Sequence, residues 1–245
     1  MSAIKPCPRK SRGSTLGLMI QPGEGTHMRH RILMALIASL VLLGALLGVV
    51  ACTPVTGDPA ALIEEGRTKL DSGDLDGAIQ SLEQATQRDA NSAEAHFLLG
   101  NAYAKKEQFS QAEQQLRKAL EIDDSYTDAR SNLGVALYRQ GKLQEAEKVF
   151  RTALASQPND AEIHYNLGGV LVALNKLDEA LSEFQKAKAL DPDLAESYLG
   201  MGSIYKLQGK SEQAISMLRE YLRLSDDPTW REHARQMIIE LGGKP

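Results

Sequence analysis

Residues 161–194 read AEIHYNLGGVLVALNKLDEALSEFQKAKALDPDL, and the pattern of this stretch recurs along the chain every 34 residues. A glycine recurs in one fixed register, at Gly66, Gly100, Gly134, Gly168 and Gly202. An alanine recurs with the same period, at Ala78, Ala112, Ala146, Ala180 and Ala214. Since glycine makes up only about 7% of average sequences, this register does not arise by chance. Each 34-residue unit is therefore one structural repeat.

Every unit contains two helical patterns of about a dozen residues, separated by a short polar turn such as Gly141-Lys142. We expect the glycine of the first helix to face the alanine of the second, so that the two backbones approach closely. One helix hairpin cannot bury its apolar face alone, so the units must stack on one another. The sequence predicts an all-α protein.

The period and the residue pattern resemble the tetratricopeptide repeat (TPR) family, with aromatic-x₂-Leu-Gly-x₂-Tyr followed by Ala-x₃-Phe and Pro. Repeat five carries this pattern as Tyr198, Met201-Gly202, Tyr205, Ala214 and Leu218. The resemblance covers residues 59–228 and implies a right-handed α-solenoid of five hairpins: 59–92, 93–126, 127–160, 161–194 and 195–228. Repeat one departs from the pattern at Glu65 and Lys69, where an apolar residue is usual, which suits a loosely packed terminal repeat.

Residues 229–245 are predicted to form a capping helix and tail, because Trp230, Ala234, Met237, Ile238 and Leu241 form one apolar stripe. We expect the side chain of Trp230 to lie in the core. Capping boxes are predicted where an acidic residue follows three positions after a polar one, at Asn91, Ser125, Asn159 and Asp193.

The N-terminal 51 residues have the character of an export signal. An uncharged run of 20 residues, 32–51, follows Met28-Arg29-His30-Arg31, so we expect a signal peptide over 28–51. Residues 1–27 are interpreted as disordered, or as an over-long start in front of Met28. An apolar run of this length also suits an uncleaved membrane anchor.

The run ends in Val49-Val50-Ala51-Cys52, which resembles the lipobox of bacterial lipoproteins. The resemblance implies cleavage before Cys52, a lipid on its thiol and a lipidated linker over 52–58. The repeats would then be exported and anchored at the cell membrane or the outer membrane. Thr53 is not Asp, which permits outer-membrane sorting. The alternative is a signal anchor with Cys52 at the membrane edge.

Charge and motif content exclude several classes of function. Residues 52–245 carry 22 basic and 31 acidic groups, a net charge of −9, which argues against nucleic-acid binding. Cys7 and Cys52 cannot form a CxxC metal site. His96 and His164 lie two repeats apart, so we expect them to be partly buried stand-ins for the family's aromatic residue rather than metal ligands. No catalytic or phosphate-binding motif occurs, which favours a non-enzymatic protein without cofactor or metal.

In TPR proteins the first helices line a concave groove that holds peptides. The resemblance implies these groove candidates: Phe97, Asn101, Lys105, Asn132, Tyr138, Arg139, Tyr165 and Asn166. Asn101 and Asn132 match the two asparagines of the clamp with which some TPR domains bind a C-terminal carboxylate. Phe97, Glu162 and Asn166 occupy the positions where that clamp has cations. We therefore expect asparagines that bond a peptide backbone, and no carboxylate clamp.

Two hypotheses of function follow. The first is a membrane-tethered scaffold or adaptor that binds other proteins of the bacterial cell envelope, in assembly, secretion, or pilus or outer-membrane biogenesis. The second is an accessory subunit of an envelope enzyme complex, for cell wall or exopolysaccharide, with the chemistry in a partner. The partner in both is a protein or peptide.

Overall fold

The computed structural model describes residues 57–244, and over this range the chain forms eleven α-helices and no strand. They are α1 Pro59–Ser72, α2 Leu75–Arg88, α3 Ala93–Lys105, α4 Phe109–Ile122, α5 Thr127–Arg139, α6 Leu143–Ser156, α7 Ala161–Ala173, α8 Leu177–Leu190, α9 Ala195–Leu207, α10 Ser211–Leu224 and α11 Pro228–Glu240. Within this range no helix has the length and apolarity to cross a bilayer. The predicted start, signal segment and Cys52 lie outside the described residues.

Successive helices pair into hairpins, α1 with α2 through α9 with α10, and each second helix also packs on the first helix of the next repeat. First helices of consecutive repeats contact one another as well. One apolar core runs through the stack from Leu70 to Ile238. The predicted all-α solenoid of stacked hairpins is confirmed.

The repeated glycines make room for a large side chain. A β-carbon on Gly168 would lie 2.6 Å from Cε1 of Phe184, and one on Gly100 would lie 2.7 Å from Cγ of Leu116. The expected glycine–alanine contact is secondary, since the Ala112 carbonyl oxygen lies 3.4 Å from the same Gly100 position. The backbones of the glycine and the alanine thus approach each other as expected, and the side chain sixteen positions after the glycine lies closest to the glycine.

Each hairpin turn contains one residue with a left-handed backbone, at position 15 when a repeat is counted from residue 59, 93, 127, 161 or 195. Glycine occupies this position at Gly73, Gly141 and Gly209, with φ of 81°, 75° and 72°. Glu107 and Asn175 occupy it in the other two repeats, with φ of 59° and 58°. A residue with a β-carbon is strained in this region, and asparagine tolerates it best.

The helix caps differ from the prediction. Ser92 and Asp160 are the N-cap residues, and their side chains accept hydrogen bonds from the backbone N–H three residues on, at 3.2 and 2.9 Å. Tyr126 and Leu194 cap α5 and α9 without a side-chain bond. The predicted caps lie one residue too early, in the preceding turn: Asn91, Ser125, Asn159 and Asp193.

In repeats two to five the side chain at position 4 forms a hydrogen bond to the turn before the repeat. His164 Nε2 lies 3.0 Å from the carbonyl oxygen of Pro158, six residues earlier. The same bond joins His96 to Ala90, Arg130 to Asp124, Tyr198 to Pro192 and Arg231 to Ser225. The two histidines are 8% and 6% exposed, so they are buried structural residues. Arg231 makes the bond one residue before the position that the 34-residue period assigns, which is Glu232, so α11 follows the repeats with a shift of one residue.

The end repeats deviate in two ways. In repeat one, Lys69 Nζ donates to Glu65 Oε1 at 2.6 Å and to Ser81 Oγ at 3.0 Å. The two polar residues that depart from the repeat pattern, Glu65 and Lys69, therefore bind each other. At the other end Trp230 is 52% exposed, and the prediction that it lies in the core was wrong. It stands in the first turn of α11, and no later helix within the described residues covers it.

Ion pairs connect the second helices of the middle repeats. Arg151 donates to Glu147 on its own helix and to Glu179 of the next repeat, while Lys176 donates to Glu147. The identical arrangement recurs one repeat earlier with Glu113, Arg117, Lys142 and Glu145. Their regular spacing follows from the 34-residue period.

Candidate functional site

A pocket of about 240 Å³ opens between the first helices of repeats three and four. Four of the predicted groove residues line it: Tyr138, Arg139, Tyr165 and Asn166. Val135, Gly169 and the ring of Phe150 complete its wall. The structure therefore brings half of the predicted groove residues together at one place, and we call this cavity the groove pocket.

Gly169 gives the groove pocket its depth. A β-carbon built on Gly169 would have no atom within 4 Å, whereas one on the adjacent Gly168 would collide with Phe184. Both glycines lie inside helix α7, where glycine is unfavourable relative to alanine. Gly168 is required by helix packing, but Gly169 leaves open space on the groove side.

Two predicted asparagines bind each other. Asn132 Nδ2 on α5 donates to Asn101 Oδ1 on α3 at 2.7 Å, and both side chains are partly exposed. Because a carboxamide has two N–H donors and one oxygen acceptor, Asn101 retains both donors and Asn132 retains its oxygen. The pair links consecutive repeats and still presents both kinds of hydrogen-bonding group.

Phe97 is less available than predicted. Its ring packs against the ring of Tyr126, with centroids 4.8 Å apart, and Tyr126 lies in the turn before α5. An aromatic contact of this geometry stabilises the repeat junction. Lys105, the last residue of α3, is exposed and stands outside the groove pocket.

Arg139 is held at the rim of the pocket by two contacts. Its guanidinium carbon lies 4.5 Å from the ring centroid of Phe109, and Nη2 lies 3.2 Å from Glu107 Oε1. Glu107 is the turn residue with a left-handed backbone. The sequence analysis predicted neither contact. Glu107 occupies the same repeat position as the turn glycines, and this register is a signal that could have indicated Glu107 as a turn residue.

Tyr165 offers an apolar wall with a neutral hydroxyl. Its ring packs at 5.8 Å from that of Phe184. Burial raises the pKa of Tyr165, and the carboxylate of Glu196 adds to the effect. The phenol therefore remains protonated and can donate a hydrogen bond at neutral pH.

An exposed acidic residue stands in the first turn of four first helices, at Glu94, Asp128, Glu162 and Glu196. Carboxylates near helix N-termini are stabilised by the helix dipole, which accounts for these residues without a partner. Within residues 57–244 no cluster of three or more His, Cys, Asp or Glu side chains could hold a metal ion. The arrangement suits binding of a polypeptide.

Comparison with solved structures places the fold among known TPR proteins. YrrB, described as a TPR protein with an unusual peptide-binding site, is 26% identical, with coverage of 73% of this chain and 92% of that chain and a TM-score of 0.60. MamA is also 26% identical, over 64% of this chain and 92% of that chain, with a TM-score of 0.60. PilF of Pseudomonas aeruginosa is 22% identical, over 75% of this chain and 88% of that chain, with a TM-score of 0.64.

No curated protein matches the sequence significantly. Family models described as tetratricopeptide repeat match residues 63–127, 128–195 and 195–228, which is more than half of the chain. The repeat pattern, the stacked hairpins and these matches agree with one another. The chain belongs to the tetratricopeptide repeat family.

Proposed function

We propose that this protein is a non-catalytic scaffold that binds partner proteins in its first-helix groove, with the groove pocket as the anchor point. The observation that carries the proposal is the open space beside Gly169, walled by Tyr138 and Tyr165. The peptide-binding site named for YrrB, a TPR protein 26% identical to this chain, supports the same use of the fold.

The geometry favours an extended segment with one large apolar side chain. The volume of about 240 Å³ accommodates a single Leu, Met or Phe side chain against the tyrosine rings. The carboxamide of Asn166 supplies both a donor and an acceptor for the peptide backbone beside it. Arg139 at the rim adds a positive charge that is only partly used by Glu107.

The test is crosslinking capture of partners from cell membranes with the full chain and its Gly169→Leu variant. A β-carbon at this position meets no atom within 4 Å, so the fold leaves room for a side chain that enters the groove pocket. We expect the captured partners to be lost. Ala61→Leu, which places the same side chain at an exposed position of α1 outside the lining of the groove pocket, is the control and should retain them. Equal capture by both variants would show that the groove pocket is not the site.

We further propose that the scaffold is lipid-anchored through Cys52 and exported to the cell envelope. The support is in the sequence: the apolar run 32–51 after a basic start, and Val49-Val50-Ala51-Cys52 at its end. A single acyl chain binds a protein to a membrane only weakly, whereas two or more acyl chains anchor it stably.

Labelling with a clickable fatty acid tests the anchor. We expect the wild-type protein to be labelled and shortened, and Cys52→Ser to remain unlabelled at full length. An unlabelled, full-length wild-type protein would instead establish the signal anchor. The proteins captured in the previous experiment decide between an assembly adaptor and an accessory subunit of an envelope enzyme, because an enzyme complex would yield a catalytic partner.

A further inference from the structure

A second and larger cavity lies at the junction of repeats three and four, on the side of the second helices. Its volume is about 590 Å³, and we call it the outer pocket. Its apolar lining comes from α6, α7, α8 and the turn before α7, and includes Leu154, Pro158, Leu167 and Leu190. Leu190 is 41% exposed, so a large apolar side chain faces solvent at its edge. None of these residues lines the groove pocket.

The residue at position 4 leaves the outer pocket open. His164 occupies this position here and lines the cavity. The neighbouring repeats have the longer side chains of Arg130 and Tyr198, each bonded to the equivalent backbone carbonyl. A histidine makes the same hydrogen bond with a smaller side chain, so it keeps the repeat tied together and leaves space beside it.

A buried hydrogen-bonded pair, His164 with Glu183, forms one wall. Glu183 Oε2 lies 2.6 Å from His164 Nδ1, and Glu183 Oε1 accepts from Lys186 Nζ at 2.8 Å. His164 and Glu183 are 6% and 8% exposed. Burial raises the pKa of Glu183, but the hydrogen bonds from Lys186 and His164 outweigh it and lower the pKa. This carboxylate is therefore ionised and already fully partnered.

Positive charge remains at the rim. Lys186 uses one of its three N–H donors on Glu183. Arg151 bonds Glu147 and Glu179 through Nε and Nη2, and its Nη1 has no hydrogen bond within residues 57–244. Both cations line the outer pocket, in a body whose net charge over residues 52–245 is −9. The rim thus offers N–H donors for an anion next to an apolar cavity.

We propose that the outer pocket is a second docking site, which binds a partner segment with a Leu or Phe side chain directly followed by Asp or Glu. The apolar side chain enters between Leu154 and Leu190, and the carboxylate meets Lys186 and Arg151. This site is independent of the groove pocket, because it lies on the other side of the junction and shares no lining residue with it.

Fluorescence polarisation with three labelled Gly-Ser peptides tests the chemistry on the full chain in non-ionic detergent. The peptides carry Phe-Asp, Phe-Lys or Ala-Asp at their centre. We expect Phe-Asp to bind about tenfold more tightly than Ala-Asp, because burial of one large apolar side chain has about that effect on affinity. It should also bind more tightly than Phe-Lys, whose lysine would meet Lys186 and Arg151 with like charge. Equal binding of Phe-Asp and Phe-Lys, or binding of sodium decanoate but of no peptide, would overturn the proposal.

Variants locate the site. His164→Tyr fills the outer pocket with the residue that repeat five uses at this position, and Leu190→Asp places a negative charge on its exposed edge. We expect each to weaken Phe-Asp binding about tenfold or more with an unchanged circular dichroism spectrum. Lys186→Glu should reverse the preference toward Phe-Lys.

Two controls separate this site from others. His96→Tyr makes the same change in repeat two, and Gly169→Leu blocks the groove pocket; neither should alter Phe-Asp binding. Loss of binding in Gly169→Leu together with retention in Leu190→Asp would assign the peptide to the groove and refute the outer pocket. Failure of partner capture in the groove experiment leaves this result unaffected, because the two measurements use different ligands and variants.

Discussion

A β-carbon on Gly134 would lie 2.6 Å from Cζ of Phe150, a separation that real β-carbons do not adopt. Phe150 is fully buried, so an added β-carbon would have to displace its ring from the core. In the first repeat, a β-carbon on Gly66 would lie equally close to Leu82, 2.5 Å from its Cγ. The first repeat is therefore packed at this contact like the central ones, contrary to the loose packing expected from its polar residues.

Gly134→Ala should lower the free energy of unfolding by about 1–3 kcal/mol, because overpacking outweighs the better helix propensity of alanine. Gly66→Ala should cost a similar amount. Urea denaturation measures both. Gly169→Ala is the control, since open space surrounds that position, and it should gain about 0.5–1 kcal/mol. A stabilised Gly134→Ala would show that the helices separate more easily than the structure indicates.

The contrast between Gly168 and Gly169 shows which features of the structure can be predicted from the sequence and which cannot. The 34-residue period predicts the hairpins and their stacking, because periodicity depends only on which residues repeat. It does not reveal that Phe184 fills the gap at Gly168, that Asn132 bonds Asn101, or that Trp230 stands exposed. Those outcomes depend on the side chains that neighbouring helices bring to each point, which become known only when the helices are placed.

Glu107 should be replaceable by glycine with a gain in stability. Its left-handed backbone, with φ of 59°, costs a residue with a β-carbon about 1 kcal/mol relative to glycine. The loss of the exposed Arg139 pair offsets only a few tenths of a kcal/mol. We expect a higher melting temperature for Glu107→Gly.

Asn175→Gly is the matched variant, with φ of 58° at the same position of the next-but-one repeat. Asparagine tolerates the left-handed region, so this change should gain less than Glu107→Gly. A larger gain for Asn175→Gly would contradict the view that backbone strain at position 15 sets the difference.

The hydrogen bond between Asn132 and Asn101 should appear as a coupling energy. A double-mutant cycle with Asn101→Ala and Asn132→Ala is expected to give about 0.5–1.5 kcal/mol, the usual net value of one such bond. Chemical denaturation of the four proteins measures it. Asn101 with Asn166, which make no such bond, should show additive effects. Additivity for Asn101 and Asn132 as well would mean that the bond does not contribute in solution.

The ion pairs of Glu147 predict a pH dependence of stability. The hydrogen bond from Lys176 is the largest influence and, together with the hydrogen bond and charge of Arg151, it outweighs burial and lowers the pKa of Glu147 from its ordinary value of 4.5. The folded state therefore favours the carboxylate more than the unfolded state does. The resulting stabilisation is complete above pH 4.5, the ordinary value, and is lost as the pH falls through the lowered pKa.

Glu147→Gln removes this charge with little change of shape. At pH 7 the variant should be less stable than the wild type by about 1 kcal/mol, given the usual value of partly exposed pairs. The difference should shrink toward zero on acidification, because the carboxylate becomes protonated. Urea denaturation at a series of pH values between about pH 7 and about pH 3 measures this difference. Asp226→Asn, at an exposed residue outside the helices with no ion pair within residues 57–244, is the control and should match the wild type throughout. A difference for Glu147→Gln that stays constant with pH would mean that packing of the side chain, and not its charge, carries the effect.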